Sequence, residues 1–486
     1  MIDWWASWRR PVAAFWGAFC ATMGINALSN ATELLASRFQ ASLTEISPAT
    51  SLYLVAEISA LPLIPLIISH VGTSRLLRVG LWGFLAGSIL CLLAINLNML
   101  LAGRVIQGFF GGLLATTPLL VMKSDVPEKK QPVAMLAAGV ASGFAPIVGP
   151  LITSALDAGS VQLLFLVMSA LTVFSLCVLP GKDDIPTRPD NSEDWPLPNI
   201  ASLLLFSGGL GGMVWAVEHM QEWGGWSDQG FRLNIISSAS AILFAAAHQW
   251  YKPKPLLPLT LLARPRYMGI LFSSLMMGLI IYGFLYLVPY YLIRVHSAGV
   301  QTLFGVTLYA SLPQLVWMPV VLYLRTRLSP YTLVMVGALV GGLSVWQLTG
   351  LGTDFGGSQW MLPQGLRAIS IPMIVFPLGL LLIKLPSKED SPGLTSLYGL
   401  FRTFGGVVGV SGLTAFTESK QSYYAQTIMM NPASDSLPSS TISQQAWLYA
   451  FNDTFMLVSF AMVIMVAYFA WVSWQHHEQS QKRKPS

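Results

Sequence analysis

Charge is scarce in this sequence. Asp, Glu, Lys and Arg make up only 10% of 486 residues, while hydrophobic side chains supply 54%. A soluble domain of that length cannot keep its surface hydrated with so few ionic groups, which leaves a chain that crosses a membrane many times. The mean hydropathy of +0.60 agrees. Cysteine is nearly absent: Cys20, Cys91 and Cys177 are odd in number, widely spaced and set in apolar stretches. They read as small buried hydrophobes rather than a disulfide or a metal site. Histidine is dispersed, at His219, His248, His296 and the pair His476 and His477, and no phosphate-binding loop appears. With no cluster of His, Asp, Glu or Cys at one interface, neither an enzyme, a bound cofactor nor ATP-driven pumping is expected. The pI near 9.0 does not indicate nucleic acid, because the Lys and Arg residues are scattered through short loops. They point instead to orientation in a bilayer.

Apolar runs long enough to cross about 30 Å of hydrocarbon lie near 12–34, 50–69, 75–96, 99–122, 132–156 and 160–179. The polar linker PGKDDIPTRPDNSEDWPLP (180–198) follows, then further runs near 197–219, 231–250, 266–294, 300–323, 331–351, 358–384, 392–417 and 447–474. The expectation is an all-α polytopic membrane protein with about fourteen spans and both termini on one side. With the N-terminus inside, the inner loops hold Arg9, Arg10, Arg75, Arg78, Lys123, Lys129, Lys130, Lys182, Arg188, Lys252, Lys254, Arg264, Arg266, Arg325, Arg327, Lys384, Lys388 and the basic tail, whereas the outer loops hold Arg38, Arg232, Arg294 and Lys420. That asymmetry places both termini in the cytoplasm. The first span is too long for a cleaved signal and lacks a cleavage site. DWWASWRRP and WVSWQHH set Trp beside basic residues as interfacial anchors. The polar segment 418–446 reads as the longest outer loop, mobile or in contact with a partner.

Few ionisable groups remain at membrane depth: Arg104, Glu33, Glu57, Glu218, Arg367 and Arg402. At about 1.5 Å per residue, Arg104, Glu57 and Glu33 all fall in the outer half of the bilayer. A buried charge of this kind is costly and usually has a task. Arg104 cannot shed its proton, but a carboxylate beside it can exchange one while the guanidinium holds the local field. Two readings stand at this point: a proton-coupling cluster, or a static ion pair that fixes helix packing. Glu33 has a third, that it reaches the outer water. In RVIQGFFGG (104–112), Gln107 and Gly108 share a face with Arg104, and Gly108 with Gly112 forms a small-xxx-small pair that admits a neighbouring backbone.

Six segments in order resemble the major facilitator superfamily, specifically its fourteen-span drug:proton antiporter branch of EmrB/QacA type. RVIQG (104–108) is similar to that family's fourth-span motif, APIVGP (145–150) to its fifth-span antiporter motif, and VEHMQEWGGW (217–226) to the acidic end of its first extra span. LLARPRYMG (261–269), TDFGGSQWMLPQG (353–365) and LTSLYGLFRTFGGVVG (394–409), with Arg402, resemble its later segments. The resemblance implies a major facilitator fold: an N-terminal six-helix bundle (1–180), a cytoplasmic linker (181–198), two additional transmembrane helices (199–254), a C-terminal six-helix bundle (255–475) and a cytoplasmic tail (476–486). It also implies alternating access in a bacterial inner membrane and proton-coupled export of a small organic molecule. Proton coupling would fall to Arg104, Glu57, Glu33 and Glu218, and gating to Gly149, Pro150 and Gly72.

Departures from the family pattern weaken three of its motifs. The usual first-span Asp falls near Ile25 when Asn30 is aligned with the family Asn. PLIISHVGTSRLL (65–77) keeps Gly72 but lacks the initial Gly and the acid, and Thr153 and Ser154 replace the Gly-Gly of the fifth span. Glu57 stands where relatives tend to be neutral and is the candidate to replace the lost acid. His70, in the altered loop, reads as an exposed histidine without a role rather than a titrating group. Substrate would meet polar and aromatic groups: Asn26, Asn30, Gln107, Tyr282, Tyr286, Tyr290, Gln364, Arg367 and Arg402. The tyrosine stripe also fits packing. Arg367 favours an anionic cargo or a pairing with Glu218. Alternatives to a proton-coupled exporter are a dedicated siderophore or metabolite carrier with weakened coupling, a lipid flippase, and a non-transporting sensor. Gram-negative relatives work with a periplasmic adaptor and an outer-membrane channel, which the outer segment 418–446 could meet.

Overall fold

The computed structural model of the chain describes residues 2–28, 31–46, 48–135, 145, 148, 152, 162–179, 200–220, 223–251, 255, 258–350, 352, 357–387, 389–430 and 438–482. Among the described residues there is no strand. A chain surrounded by hydrocarbon has no water to satisfy its backbone, so each apolar run closes its hydrogen bonds within itself as a helix.

The helices are α1 (Ile2–Ala27), α2 (Thr32–Phe39), α3 (Leu43–Ile46), α4 (Pro48–Ala60), α5 (Leu63–Val71), α6 (Thr73–Leu92), α7 (Leu97–Ala115), α8 (Thr117–Asp125) and α9 (Leu163–Val178). They continue as α10 (Ile200–Glu218), α11 (Gln229–Trp250), α12 (Pro265–His296), α13 (Val300–Leu324), α14 (Pro330–Trp346), α15 (Met361–Lys384), α16 (Asp390–Val407), α17 (Leu413–Met429) and α18 (Ser439–Lys482). Among the described residues, nine helical stretches are long and apolar enough to cross a membrane, ten with the bent pair α4 and α5, and Leu163–Val178 and Pro330–Trp346 are shorter apolar helices. The expected span at 132–156 lies almost wholly outside the described residues; each other expected span coincides with a described helix, with shifted ends.

Local chemistry explains where helices start and bend. Ser42 and Glu45 form a reciprocal cap before α3: the Ser42 N–H donates to Glu45 Oε2 (2.7 Å) and the Glu45 N–H to Ser42 Oγ (3.3 Å). The Ser42 N–H, and after it the Ser42 hydroxyl, which also donates to Oε2 (2.9 Å), hold the exposed Glu45 carboxyl below its ordinary range. Helices α4 and α5 meet at 50°, at Leu61–Pro62, where proline lacks the N–H that would continue the ladder. Pro65, four residues on, cannot donate to Leu61 O, and the Ser396 hydroxyl donates to it instead (2.6 Å). At Gly72, φ of +79° suits glycine and turns α5 into α6. A π-helical turn, Val408–Gly412, separates α16 from α17.

Compact packing divides the chain into two units: Met1–Leu271 with Leu382–Phe404, and Phe272–Leu381 with Gly405–Ser486. Residues 382–404 thus pack with the first unit, through the Ser396 bond above, through Lys123 Nζ donating to Pro386 O (2.8 Å), and through an ion pair of Arg264 with Asp390 (2.6 Å). Inside that unit α7 lies against α4, α6 and α1, while α10 pairs with α11 and touches α4. A Cβ added at Gly108 would run into the Tyr53 carbonyl oxygen, and one at Gly112 into that of Glu57. The small-xxx-small pair therefore does admit a neighbouring backbone, and it locks the register of α7 on α4. In the second unit α18 packs along α14 and α17 over a core that includes Tyr291, Phe451, Phe455 and Trp360. Gly409 there plays the same part, its Cβ position lying 2.5 Å from Leu279 O.

Two expectations are corrected. Residues 418–446 do not form one long loop: α17 runs on to Met429 and α18 begins at Ser439. Polarity removes such a segment from hydrocarbon but not from a helix, and the extension is tied down by Lys420 to Asp453 (3.0 Å) and Tyr424 to Asp453 (2.9 Å). Cys20 and Cys91 are buried as expected, whereas Cys177 is exposed.

Candidate functional site

The register of α4 on α7 determines which polar groups meet. Gly108 faces Tyr53 and Gly112 faces Glu57, so one turn back Arg104 faces Ala49. Glu57 consequently lies about two helical turns further along the α4–α7 contact than Arg104, roughly 12 Å along the axis. The expected neighbourhood of these two groups is not observed. Depths counted separately from each span's start missed this offset, because only the packed glycines align the two helices.

Arg104 is fully buried and its guanidinium is satisfied by neutral groups. Nε donates to Ala49 O (3.0 Å), Nη1 to Gln107 Oε1 (2.7 Å) and Nη2 to Gly24 O (2.9 Å). Its Cζ sits 4.2 Å from the centre of the Tyr53 ring, a cation–π contact, and the Tyr53 hydroxyl donates to Ala21 O (2.9 Å). Gln107, expected as a substrate contact, is committed to this network: its amide also donates to Ser88 Oγ (2.9 Å). The geometry ties α1 and α4 to α7 through backbone carbonyls and α6 to α7 through the Ser88 hydroxyl. Arg104→Ala is expected to lower stability by about 3 kcal/mol, because three buried acceptors lose their donor. Arg104→Lys should restore less than half of that, since one ammonium cannot span acceptors on three helices; loss of monodisperse detergent-solubilised protein on heating measures both.

Glu57 is also fully buried, but it faces α16. Its Oε1 accepts from Thr403 Oγ1 (3.1 Å) and lies 3.9 Å from Arg402 Nη2. Its Oε2 is buried with no hydrogen-bond partner among the described residues. The carboxylate thus meets a guanidinium and a hydroxyl that both come from α16. Arg402 was a candidate for substrate rather than for this contact, and Thr403 was not anticipated. The available signal was that Arg402 and Thr403 are the polar residues of an otherwise apolar stretch, LFRTFGG.

The remaining candidates separate into several groups. Tyr282 covers Gly406, and the rings of Tyr286 and Tyr290 lie 5.7 Å apart. The Tyr290 hydroxyl donates to Glu418 (2.8 Å). The stripe is therefore packed within the second unit. Arg367 and Gln364 are buried on one face of α15 in that unit, and no described carboxylate lies against Arg367. Gly72 forms the turn between α5 and α6. The His70 ring nitrogen Nδ1 lies 2.9 Å from Leu66 O. Asn30, Gly149 and Pro150 lie outside the described residues, as do the side chains of Asn26, Glu33 and Glu218.

The chain is similar to curated bacterial transporters over most of its length. It is 25% identical over 423 residues to the colistin resistance protein EmrB of Acinetobacter baumannii, covering 84% of this chain and 81% of that one. It is 26% identical to a multidrug resistance protein B homolog of Mycobacterium tuberculosis, covering 79% and 72%. In fold it is similar to the crystal structure of the human organic anion transporter MFSD10 (TETRAN), with a TM-score of 0.59 at 13% identity over 94% of this chain and 99% of that one. A family model described as Major Facilitator Superfamily matches residues 14–410. The helical architecture, the intramembrane charges and these matches together establish that the chain is a secondary transporter and belongs to the Major Facilitator Superfamily.

Proposed function

We propose that this transporter exports a small organic molecule in exchange for protons, by alternating access, with Glu57 as the group that carries the proton. One observation carries the reading: a fully buried carboxylate, one oxygen of which has no hydrogen-bond partner among the described residues, faces an arginine and a hydroxyl on a helix far away in the chain. While α16 lies against α4, Arg402 favours the carboxylate and Thr403 donates to it. Withdrawal of α16 removes both, and the carboxyl then takes up a proton from whichever side has water. Arg104 holds the surrounding helices in place and does not itself titrate.

In this reading the bundles follow the chain, residues 1–180 and 255–475, with 199–254 as an additional pair. The packing of 382–404 on α4, α5 and α8 is then a closed gate that parts once per cycle. The bacterial relatives favour an inner membrane, the Lys and Arg distribution favours both termini in the cytoplasm, and the helical extensions at 418–429 and 439–446 are where a periplasmic adaptor would dock. Export is favoured by the relatives named for resistance to colistin, to multiple drugs and to lincomycin. A second reading, a dedicated carrier of an anionic or zwitterionic metabolite such as a siderophore, is favoured by Arg367, a buried cation with no carboxylate against it among the described residues.

Inside-out vesicles with an imposed pH gradient, read by a quenched dye, test the coupling. Cationic drugs, anionic drugs and siderophores are added in turn. One class is expected to dissipate the gradient in vesicles that contain the protein and not in empty ones. Movement of a labelled compound with no accompanying proton flux would overturn the proposal.

A further inference from the structure

Two buried arginines stand about two turns into their helices, each followed two residues later by isoleucine: Arg104 in α7 and Arg367 in α15. Their surroundings differ. Arg104 meets three oxygen acceptors and an aromatic face, as described above. Arg367, 9% exposed, has Phe284 with its ring centre 5.3 Å from Cζ, and its Nε has no hydrogen-bond partner among the described residues. One turn earlier on the same face, Gln364 is 1% exposed and both of its amide atoms lack partners among the described residues.

The second unit supplies no counter-charge among its described side chains. Glu418 accepts from Tyr290 (2.8 Å), and Asp453 pairs with Lys420 (3.0 Å). Ser344 and Ser370 direct their hydroxyl hydrogens to Pro363 O and Gly337 O, at 2.7 Å each. Beside the guanidinium lies a small cavity instead, walled by Met277, Ile280, Phe284, Gly341, Val345 and Met462, with room for an occupant of about water size or slightly larger.

An arginine cannot neutralise itself by losing a proton, and a lone cation in an apolar site is strongly disfavoured. Water in the cavity would hydrogen-bond but leave the charge. A single monovalent anion would cancel it, and the volume limits that anion to a few ångströms. We propose that this cavity is a binding site for a monovalent anion of halide size, chloride in the cell, held by the guanidinium of Arg367, which borders it. This site lies within the second unit and does not depend on the proton-coupling role of Glu57.

The test uses the full chain in lipid nanodiscs in sodium gluconate, with chloride or bromide added at constant ionic strength. The thermal unfolding midpoint is expected to rise by several degrees and to saturate. Arg367→Gln should abolish the rise, and Arg327→Gln, at an exposed position, should keep it. Because Arg367→Gln could fail to fold, bromide-soaked crystals of the unaltered protein give a second readout: an anomalous peak within hydrogen-bonding distance of the guanidinium. Equal midpoints in chloride and gluconate, a retained response in Arg367→Gln, or no bromide peak would each overturn the assignment. So would a shift produced by benzoate and not by chloride, which would make the cavity a site for organic carboxylates.

Discussion

Glu57→Gln is expected to lower substrate-driven proton flux by about 100-fold or more, to the background of empty vesicles, which is the scale of losing an essential proton-transferring group. The substitution is nearly isosteric. The amide oxygen of Gln can still accept from Thr403 Oγ1, which now donates to Glu57 Oε1 at 3.1 Å, so the packing of α4 on α16 should survive. What disappears is the exchangeable proton. Arg402 loses this ion pair, but its side chain is 19% exposed and water can solvate it. Exchange of labelled for unlabelled substrate across the membrane at equal pH should therefore persist in Glu57→Gln, which separates loss of coupling from loss of fold. Glu57→Asp should recover part of the flux. If Glu57→Gln dissipates a pH gradient as fast as the unaltered protein, the proton travels by another group and the proposed role of this carboxylate fails.

Gly108→Val should be the most damaging change to the fold. The Cβ alone would run into the Tyr53 carbonyl oxygen, and a backbone atom cannot rotate away as a side chain can. Overpacking in a tight core costs about 1–3 kcal/mol, sometimes more. Separating α4 from α7 would also draw Ala49 O away from Arg104 Nε, which it meets at 3.0 Å, leaving a buried donor unpaired at roughly a further 1–3 kcal/mol. The sum is a large share of a typical folding free energy of about 5–15 kcal/mol. Little monodisperse protein is expected after solubilisation in mild detergent, compared by size exclusion before and after heating. Gly208→Ala is the control, because nothing lies within 4 Å of a Cβ built there, and it should behave as the parent does. A Gly108→Val protein as heat-resistant as the parent would show that the helix contact is loose and that the register argument fails with it.

The register also explains which parts of the candidate site were legible beforehand. Glu57 and Arg104 stood out as charges in apolar runs, and the Gly108 and Gly112 pair correctly announced a close helix contact. Their partners were not legible. Tyr53 lies one turn before Glu57 on the same helix face, and its place beneath Arg104 becomes clear only once α4 and α7 are aligned. Arg402 looked like a substrate contact because nothing in the linear order brings it to Glu57. Gln107 reads from the sequence as a cavity residue because a buried amide next to an arginine has the same sequence signature whether it faces a ligand or the arginine itself.

Composition and loop chemistry determined by themselves that this chain is a helical membrane protein, where most of its helices begin and end, and which residues are costly charges within them. Those are local consequences of hydrocarbon as a solvent: the backbone must satisfy itself, and ions must either leave or find a use. Tertiary structure decided how the charges are answered. Arg104 is answered by carbonyl oxygens and a tyrosine face, Glu57 by an arginine and a threonine from a distant helix, and Arg367 by no described protein group of opposite charge. The reason is geometric. A side chain reaches only a few ångströms, so a shift of one or two turns between packed helices changes every polar partner, and that shift is set by where small residues let backbones touch.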